Sequence, residues 1–305
     1  MRKRFSKAKN LYTLECSFPF RLERLYGLFN LLRDHDYFPN IDKAGRLYTP
    51  LVMLPEPIRH FLTYHGEKLA SLDLKNSQPF HLSLLFTTRF WGEKACRLSL
   101  KAIQPALYTG LKRTGVLTQI RDHVRKASSS PDVQQYIQLA TTGTLYEHLV
   151  ATYGEQHPSM ASRGEAKQQF MVFLYFNPLE KHAVRYQAYR QWAADFPNVA
   201  HLLELIKQEN HTYLARLLQA LEAKLLLRLV VSEFVRQYPG VFITSVHDSL
   251  LTLDSKKQEL EAIIRQVYLR EMQRMPEIEM KTLCPENAYH DLPKYIQKKL
   301  KQQSG

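Results

Sequence analysis

Cysteine is scarce in this chain of 305 residues: Cys16, Cys96 and Cys284 are the only three. They are odd in number, far apart and in no metal-ligand spacing. That excludes a disulfide framework and a cysteine-based zinc site, and fits a reducing compartment. Long apolar runs are also missing, since no stretch approaches the roughly 18 apolar residues of a membrane-spanning helix. The basic start, MRKRFSKAKN, is followed by no apolar segment of the kind that a secretory leader carries. A cytoplasmic location and no membrane partner are therefore expected. No internal repeat is visible, nor any low-complexity stretch that would make a long disordered linker.

Acidic residues are in short supply. There are 29 Asp and Glu against 42 Lys and Arg, a formal net charge of +13. Such an excess favours a polyanionic partner, nucleic acid before an acidic membrane surface, although a merely basic protein has the same composition. Hydrophobic residues at 45% and charged residues at 23% are those of an ordinary globular protein. The length suffices for one large domain or two closely joined lobes.

RLERLYGLFNLLRDH, residues 21–35, has apolar residues at helical spacing and predicts an amphipathic helix. IDKAGRLYTPLVMLP (41–55) is turn, short strand and loop, punctuated by Gly45 and two prolines. KLASLDLKNSQPFHLSLLF (68–86) starts as a strand and becomes helical after a turn around Asn76 to Pro79, and ASSSPD (127–132) predicts a loop. From about residue 133 the pattern is mostly helical. Ser162 opens a helix through SRGEAKQQFMVFLYF, and NPLE ends it. A longer helix over 212–237 stops at YPG, a strand follows over 241–253, then a charged helix over about 255–274 and a basic tail, KYIQKKLKQQ. Strands mixed irregularly with long helices predict an α+β fold.

Two aspartates stand in apolar strand surroundings, Asp73 in ASLDLKNSQ and Asp248 in SVHDSLL. An ionised carboxylate there is costly unless a cation compensates it. Two such strands side by side would hold two carboxylates against one or two Mg²⁺ ions, an arrangement suited to in-line phosphoryl transfer. Equally, each aspartate taken alone can cap a strand end or pair with a basic side chain. In RGEAKQQFMVFLY, Arg163, Lys167, Met171 and Tyr175 recur at a spacing of four and form a drifting line on one helix face. Such a line suits a nucleotide, with the cations on the triphosphate and Met171 and Tyr175 on base and sugar. It is also what an amphipathic helix with a solvated cationic face looks like.

Together these segments resemble the DNA polymerase I family (family A) and its relatives, the phage-type single-subunit RNA polymerases. LDLKNSQPFHL resembles motif A, RGEAKQQFMVFLY motif B and VHDSLL motif C, while DKAGRLYT is similar to the family's D-x-x-G-R element; all four occur in the family's order. The resemblance implies a right-hand polymerase-like fold with an antiparallel palm sheet, helical fingers and a reduced or absent thumb. It assigns residues 1–41 to an N-terminal helical segment, 42–110 to the first part of the palm, 111–200 to the fingers and 201–305 to the second part of the palm. It also assigns two Mg²⁺ or Mn²⁺ ions to Asp73, Asp248 and the backbone carbonyl of Leu74. Arg163, Lys167, Met171 and Tyr175 are to bind the nucleotide, with Lys167 also catalytic. Arg46, Arg216 and Gln219 are to contact nucleic acid, and His247 is to support Asp248 by hydrogen bonding rather than as a ligand. Tyr48, His81 and Glu222 are further candidates, and Lys298, Lys299 and Lys301 offer a generic electrostatic contact.

Several positions depart from the family pattern. Met171 and Ser249 resemble the RNA polymerase branch. Phe176 stands where a glycine normally follows the motif B tyrosine. In a shifted register Phe80 replaces the glutamate that screens the ribose 2′-OH. Only 41 residues precede Asp42, which implies a grip resting on basic side chains, strong salt dependence and short products. The expectation is template-directed nucleotidyl transfer by a primase-like or short-product RNA polymerase, of the compact kind found on mobile elements. It would act on a DNA template, single-stranded DNA favoured, and hold the nascent duplex, with NTP or dNTP substrates and a helicase or other replication protein as a partner. Three alternatives stay open: a minimal DNA polymerase of family A type, a template-independent terminal nucleotidyltransferase, and a non-catalytic nucleic-acid-binding accessory protein.

Overall fold

The run EKLASLDL alternates, and β4 (Glu67–Leu74) is a strand buried on both faces. A computed structural model describes residues 27–28, 30–34, 40–42, 45–93, 96–176, 184–246 and 248–289. In it β4 lies inside an antiparallel sheet. β6 (Ser249–Leu253) pairs along one edge of β4, and β5 (Ile243–Val246) pairs with β6. The other edge of β4 is shared end to end by β3 (Thr63–Tyr64) and β7 (Ile278–Thr282). The result is the α+β class expected, in a mixed helix-and-sheet arrangement.

The period of two sorts the side chains of β4. Leu72 and Leu74 join Leu250 in the main core, which also takes Leu260, Ile264 and Val267 of the helix Lys257–Met272. Leu69 faces the other way, into a smaller core with Val246, Leu251, Leu51 and Leu54. Asp73 shares the face of Leu69, and its cross-strand partners are Ser249 and Glu279. The carboxylate is thus on the less covered face, at the end of the strand where the smaller core stops.

After β4 the chain turns at Asn76, whose backbone is left-handed (φ 53°), and enters α1 (Ser77–Leu82). A helical layer follows: α2 (Pro105–Arg113), α3 (Val116–Ala127), α4 (Pro131–Thr141), α5 (Leu145–Tyr153), α6 (Arg163–Tyr175), α7 (Val184–Asp195) and α8 (Pro197–Lys207). The expected loop at 127–132 is there, between the end of α3 at Ala127 and Pro131 opening α4. The expected long helix is α9 (Thr212–Ala223), which continues through a π-helical stretch, Lys224–Val230, into α10 (Val231–Gln237). α11 (Lys257–Met272) replaces the predicted 255–274. Both α1 and α6 pack on α9.

Three expectations are corrected. The mostly helical stretch begins well before residue 133, with α2 and α3, while α1 stands where helix was expected after the turn at Asn76. The strand expected over 241–253 is a hairpin, because the register pair Val246–Ser249 leaves only residues 247 and 248 between β5 and β6. β3 and β7 were not foreseen; β3 has two residues, and β7 is an edge strand whose Glu279 and Met280 are exposed. Most of the helix expected at 21–35 lies outside the described residues, although residues 27–28 and 30–33 are helical. His247, Cys16, the NPLE segment and the tail lysines also lie outside them. Among the described residues no helix is long and apolar enough to cross a membrane.

β1 (Asn40–Ile41) and β2 (Leu47–Tyr48) form a separate two-stranded ribbon. Its turn is closed by Gly45 N–H donating to the Asp42 carbonyl at 2.9 Å and by Arg46 N–H donating to Asp42 Oδ1 at 2.9 Å. Gly45 has φ +87°, and a Cβ there would stand 3.3 Å from Cβ of Ala223 on α9. Both observations demand glycine. Gly45→Ala is expected to cost about 1–2 kcal/mol and to lower the melting temperature by roughly 2–5 °C, measured by calorimetry. A variant that melts with the wild type would contradict this packing of the ribbon on α9.

Candidate active site

Glu222 on α9 is 2% exposed, yet it carries a carboxylate. Its Oε2 accepts from Arg46 Nη2 at 2.6 Å; its Oε1 accepts from Ser77 Oγ at 2.7 Å and Gln78 Nε2 at 3.0 Å. Gln78 Oε1 in turn accepts from the Tyr175 hydroxyl at 3.1 Å. One buried group therefore ties together the Asp42–Arg46 turn, the start of α1, the end of α6, and α9. Burial works against the charge of Arg46, and Glu222 beside it more than offsets that, so the guanidinium pKa stands above its ordinary value. Burial and the Glu222 charge push the Tyr175 phenol well above its usual range.

The acidic pair lies next to this cluster. Asp73 lies one residue before the end of β4, and its register partner Ser249 directly follows Asp248. The Ser249 hydroxyl donates to the Val246 carbonyl at 2.8 Å and so closes the hairpin that presents Asp248. Burial, then repulsion from Asp248, raise the Asp73 pKa to about 7, with Lys167 acting the other way. Asp73 Oδ1 is buried with no hydrogen-bond partner among the described residues, and so are both polar atoms of the Asn76 side chain. A buried acceptor left unpaired beside a second carboxylate is what a hard divalent cation would satisfy. Among the described residues no group of three or more His, Cys, Asp and Glu side chains stands together as a metal site. Two carboxylates and a backbone carbonyl still fit Mg²⁺, which keeps waters and takes substrate phosphates as further ligands.

α6 presents the expected line. Ser162 caps it, accepting from Glu165 N–H at 3.3 Å while its hydroxyl donates to Glu165 Oε2 at 2.7 Å. Ala166, Phe170, Phe173 and Leu174 are buried, which leaves Arg163 and Lys167 exposed and Met171 and Tyr175 half-buried. Arg163 pairs with Glu147 at 2.6 Å and lies over the Tyr146 ring at 5.7 Å. Met171 packs against the main core. Lys207, which the sequence reading missed, anchors the far end of the helix: its Nζ donates to the Phe173 carbonyl at 2.6 Å and lies 4.5 Å from the Phe176 ring centroid. Burial lowers its pKa to about 7. Its only sequence signal is a lysine closing LLELIK, a run that is apolar but for it and Glu204.

The remaining candidates separate clearly. Arg46 is committed to Glu222 and is 26% exposed. Arg216 is exposed and Gln219 half-buried on α9; neither forms a hydrogen bond or ion pair among the described residues. Tyr48 is 41% exposed. His81 is fully buried, with Nε2 2.9 Å from the Tyr268 hydroxyl, and burial drives its pKa to about 3, so it is neutral and structural. Phe80 is fully buried in the main core, its ring 5.7 Å from Tyr268, and so cannot screen a sugar. In that turn the side chain that meets Tyr175 is Gln78. Glu222 proves more central than its place among the further candidates suggested.

No family model matches the chain, and no curated protein matches it. Among solved structures it is similar to the POL domain of Pol1 from M. smegmatis in complex with DNA primer-template and dNTP. Identity is 16%, over 79% of this chain and 46% of that one, with a TM-score of 0.37. The chain thus spans less than half of that protein's length. A likeness of this extent leaves the functional reading to rest on the chain's own residues.

Asp73 offers a test of the cation-seeking site. Its folded pKa of about 7 stands above the ordinary 3.8, so without divalent ions its ionisation penalty grows as pH rises through that window and is complete above it. With EDTA present, Asp73→Asn should melt roughly 2–5 °C above wild type at alkaline pH. The gain should shrink toward acidic pH, where Asp73 is protonated, and Mg²⁺ should close the gap from the wild-type side. A pH-independent difference would contradict the account of Asp73.

Proposed function

We propose that the chain is a template-directed nucleotidyltransferase using two divalent metal ions. The observation that supports this best is the convergence of Asp73 and Asp248 at one end of the sheet, with Asp73 Oδ1 buried and unpaired and Lys167 of α6 acting on the same carboxylate. Asp73, Asp248 and the Leu74 carbonyl would hold Mg²⁺ or Mn²⁺, which when bound supplies activation of an attacking hydroxyl and charge stabilisation at the leaving oxygen. Lys167 and Arg163 receive the triphosphate, and their fixed positive charges lower the energy of the negative charge that builds up on the departing pyrophosphate. For Arg163 this means exchanging Glu147, a surface ion pair of little intrinsic strength. Met171 and Tyr175 form the wall against which base and sugar lie. Tyr175 is held at a fixed height by Gln78, itself fixed by Glu222, so the wall is preorganised rather than ordered by the substrate.

In this reading residues 42–110 and 201–305 form the palm and 111–200 the fingers. α9 lies on the template side, where Arg216 and Gln219 remain available for nucleic acid, while Arg46 acts mainly by positioning. A DNA template, short products and ribonucleotides are the preferred assignment, as in a primase-like enzyme. The second assignment is deoxyribonucleotide synthesis, and separate reactions with NTPs and dNTPs decide between the two.

The deciding assay follows incorporation of labelled nucleotide on single-stranded DNA with Mg²⁺ or Mn²⁺, with NTPs and dNTPs in separate reactions, each with and without primer. Asp73→Asn and Asp248→Asn are expected to lower the rate at least about 100-fold, since even the outer partners of a metal ligand are worth about 10- to 100-fold. Lys167→Ala should cut kcat/KM for the nucleotide with little effect on DNA binding. Incorporation that survives either Asp→Asn change would overturn the proposal. Wild-type binding of nucleic acid with no synthesis would favour an accessory protein.

A further inference from the structure

α11 ends at Gln273, whose left-handed backbone (φ 57°) turns the chain out of the helix and into the link that leads to β7. Arg274 is the next residue. It is half-buried, burial lowers its pKa, and among the described residues it has no ion-pair or hydrogen-bond partner. A partly desolvated guanidinium without a counter-charge is an unfavourable arrangement unless an anion completes it. Arg274 lines an open concavity of about 600 Å³ on the outer face of α4. The other polar groups along it are Gln134, Gln135, Gln138, Thr141 and Thr142, and no carboxylate lines it. Gln134 is occupied by the Ser128 carbonyl, and the two threonine hydroxyls donate back into their own helix. The amides of Gln135 and Gln138 form no side-chain hydrogen bond among the described residues, so with Arg274 they are donors facing solvent.

We propose that Arg274 and the amide face of α4 form a ledge that holds the sugar-phosphate backbone of a nucleic-acid strand close to the acidic pair. Guanidinium and amide donors without a carboxylate are the chemistry of phosphate recognition. From Gln135 to Thr142 the helix advances about 10 Å, longer than one phosphate, which favours a strand over a free anion. The ledge also leads toward Asp73. Gly143, just past α4, approaches so closely that a Cβ there would stand 3.3 Å from Cβ of Lys75, and Lys75 follows Asp73 by two residues. Lys75 is partly exposed and meets Glu277 only at 3.9 Å, so it offers a cation between ledge and acidic pair.

The inference rests on the nucleic-acid reading above, and the test separates the two. Binding of fluorescent single-stranded DNA and RNA oligonucleotides by the full chain is measured by anisotropy across a salt series. The proteins are wild type, Arg274→Ala, Arg274→Lys and Gln138→Glu, each checked by thermal melting. Arg274→Ala should weaken binding roughly 3- to 10-fold and lower the salt slope by about one. Arg274→Lys should keep the slope, and Gln138→Glu, a solvent-facing change that leaves the fold alone, should weaken binding in the same direction. Wild-type affinity and slope in Arg274→Ala or, should that variant not fold, in Gln138→Glu would overturn the ledge while leaving the proposed function standing. If inorganic phosphate binds and Arg274→Ala abolishes that binding without touching oligonucleotide affinity, the concavity is a free-anion site and the strand proposal fails. Absence of any oligonucleotide binding by wild type would overturn both readings.

Discussion

The carboxylate of Glu222 is the constraint on which the rest of the site depends. A charge buried this deeply costs several kcal/mol unless it is paired and its lone pairs are filled. Arg46, Ser77 and Gln78 meet both demands. They arrive on two segments, Arg46 on the ribbon turn and Ser77 and Gln78 at the start of α1, so compensation of one charge fixes both and, through Gln78, the hydroxyl of Tyr175. The close approach of Gly45 to Ala223, the residue after Glu222, follows from the same requirement. Removing any one partner leaves a desolvated charge or acceptor, with consequences spread over all the segments that it joins.

The acidic pair has the opposite character. Glu222 is fully satisfied, whereas Asp73 is buried beside Asp248 with one oxygen unpaired and a pKa drawn up to about 7. A satisfied carboxylate holds structure together; an unsatisfied one beside a second carboxylate is what the proposed cation would complete. The two stand close enough for Glu222 to act on the Asp73 charge, so the rigid cluster is the base on which the reactive one is built. Lys167 and Arg163 remain exposed above it on α6, a helix fixed at its start by the Ser162 cap and at its end by Lys207.

Much of this was legible in the amino-acid order because the signals are local. The four-residue spacing on α6, the Ser162 cap and the aspartates in apolar surroundings each have a physical meaning within a short window, and the structure places Asp73 near the end of β4 and Asp248 in the turn before the adjoining β6. What was not legible depends on contacts between distant segments. Nothing near residue 222 says that its carboxylate meets Arg46, 176 positions earlier. That Phe80, which replaces the screening glutamate only in a shifted register, is buried in the core was not legible either, because the entry of α1 into the core is a tertiary fact. Arg274 looked like one basic residue among 42 Lys and Arg, and its isolation is visible only in three dimensions. β7 was missed because its apolar-polar alternation, Ile278 to Lys281, is only one short window just after Pro276, and its pairing with β4 is a long-range contact.

The most direct measurement is the sequence of the product that the purified chain makes on two single-stranded templates of unrelated sequence. The account predicts products complementary to each template, because a preorganised wall at Met171 and Tyr175 opposite a template-side helix selects the incoming nucleotide by pairing. Products of the same sequence on both templates, or extension that ignores them, would contradict it.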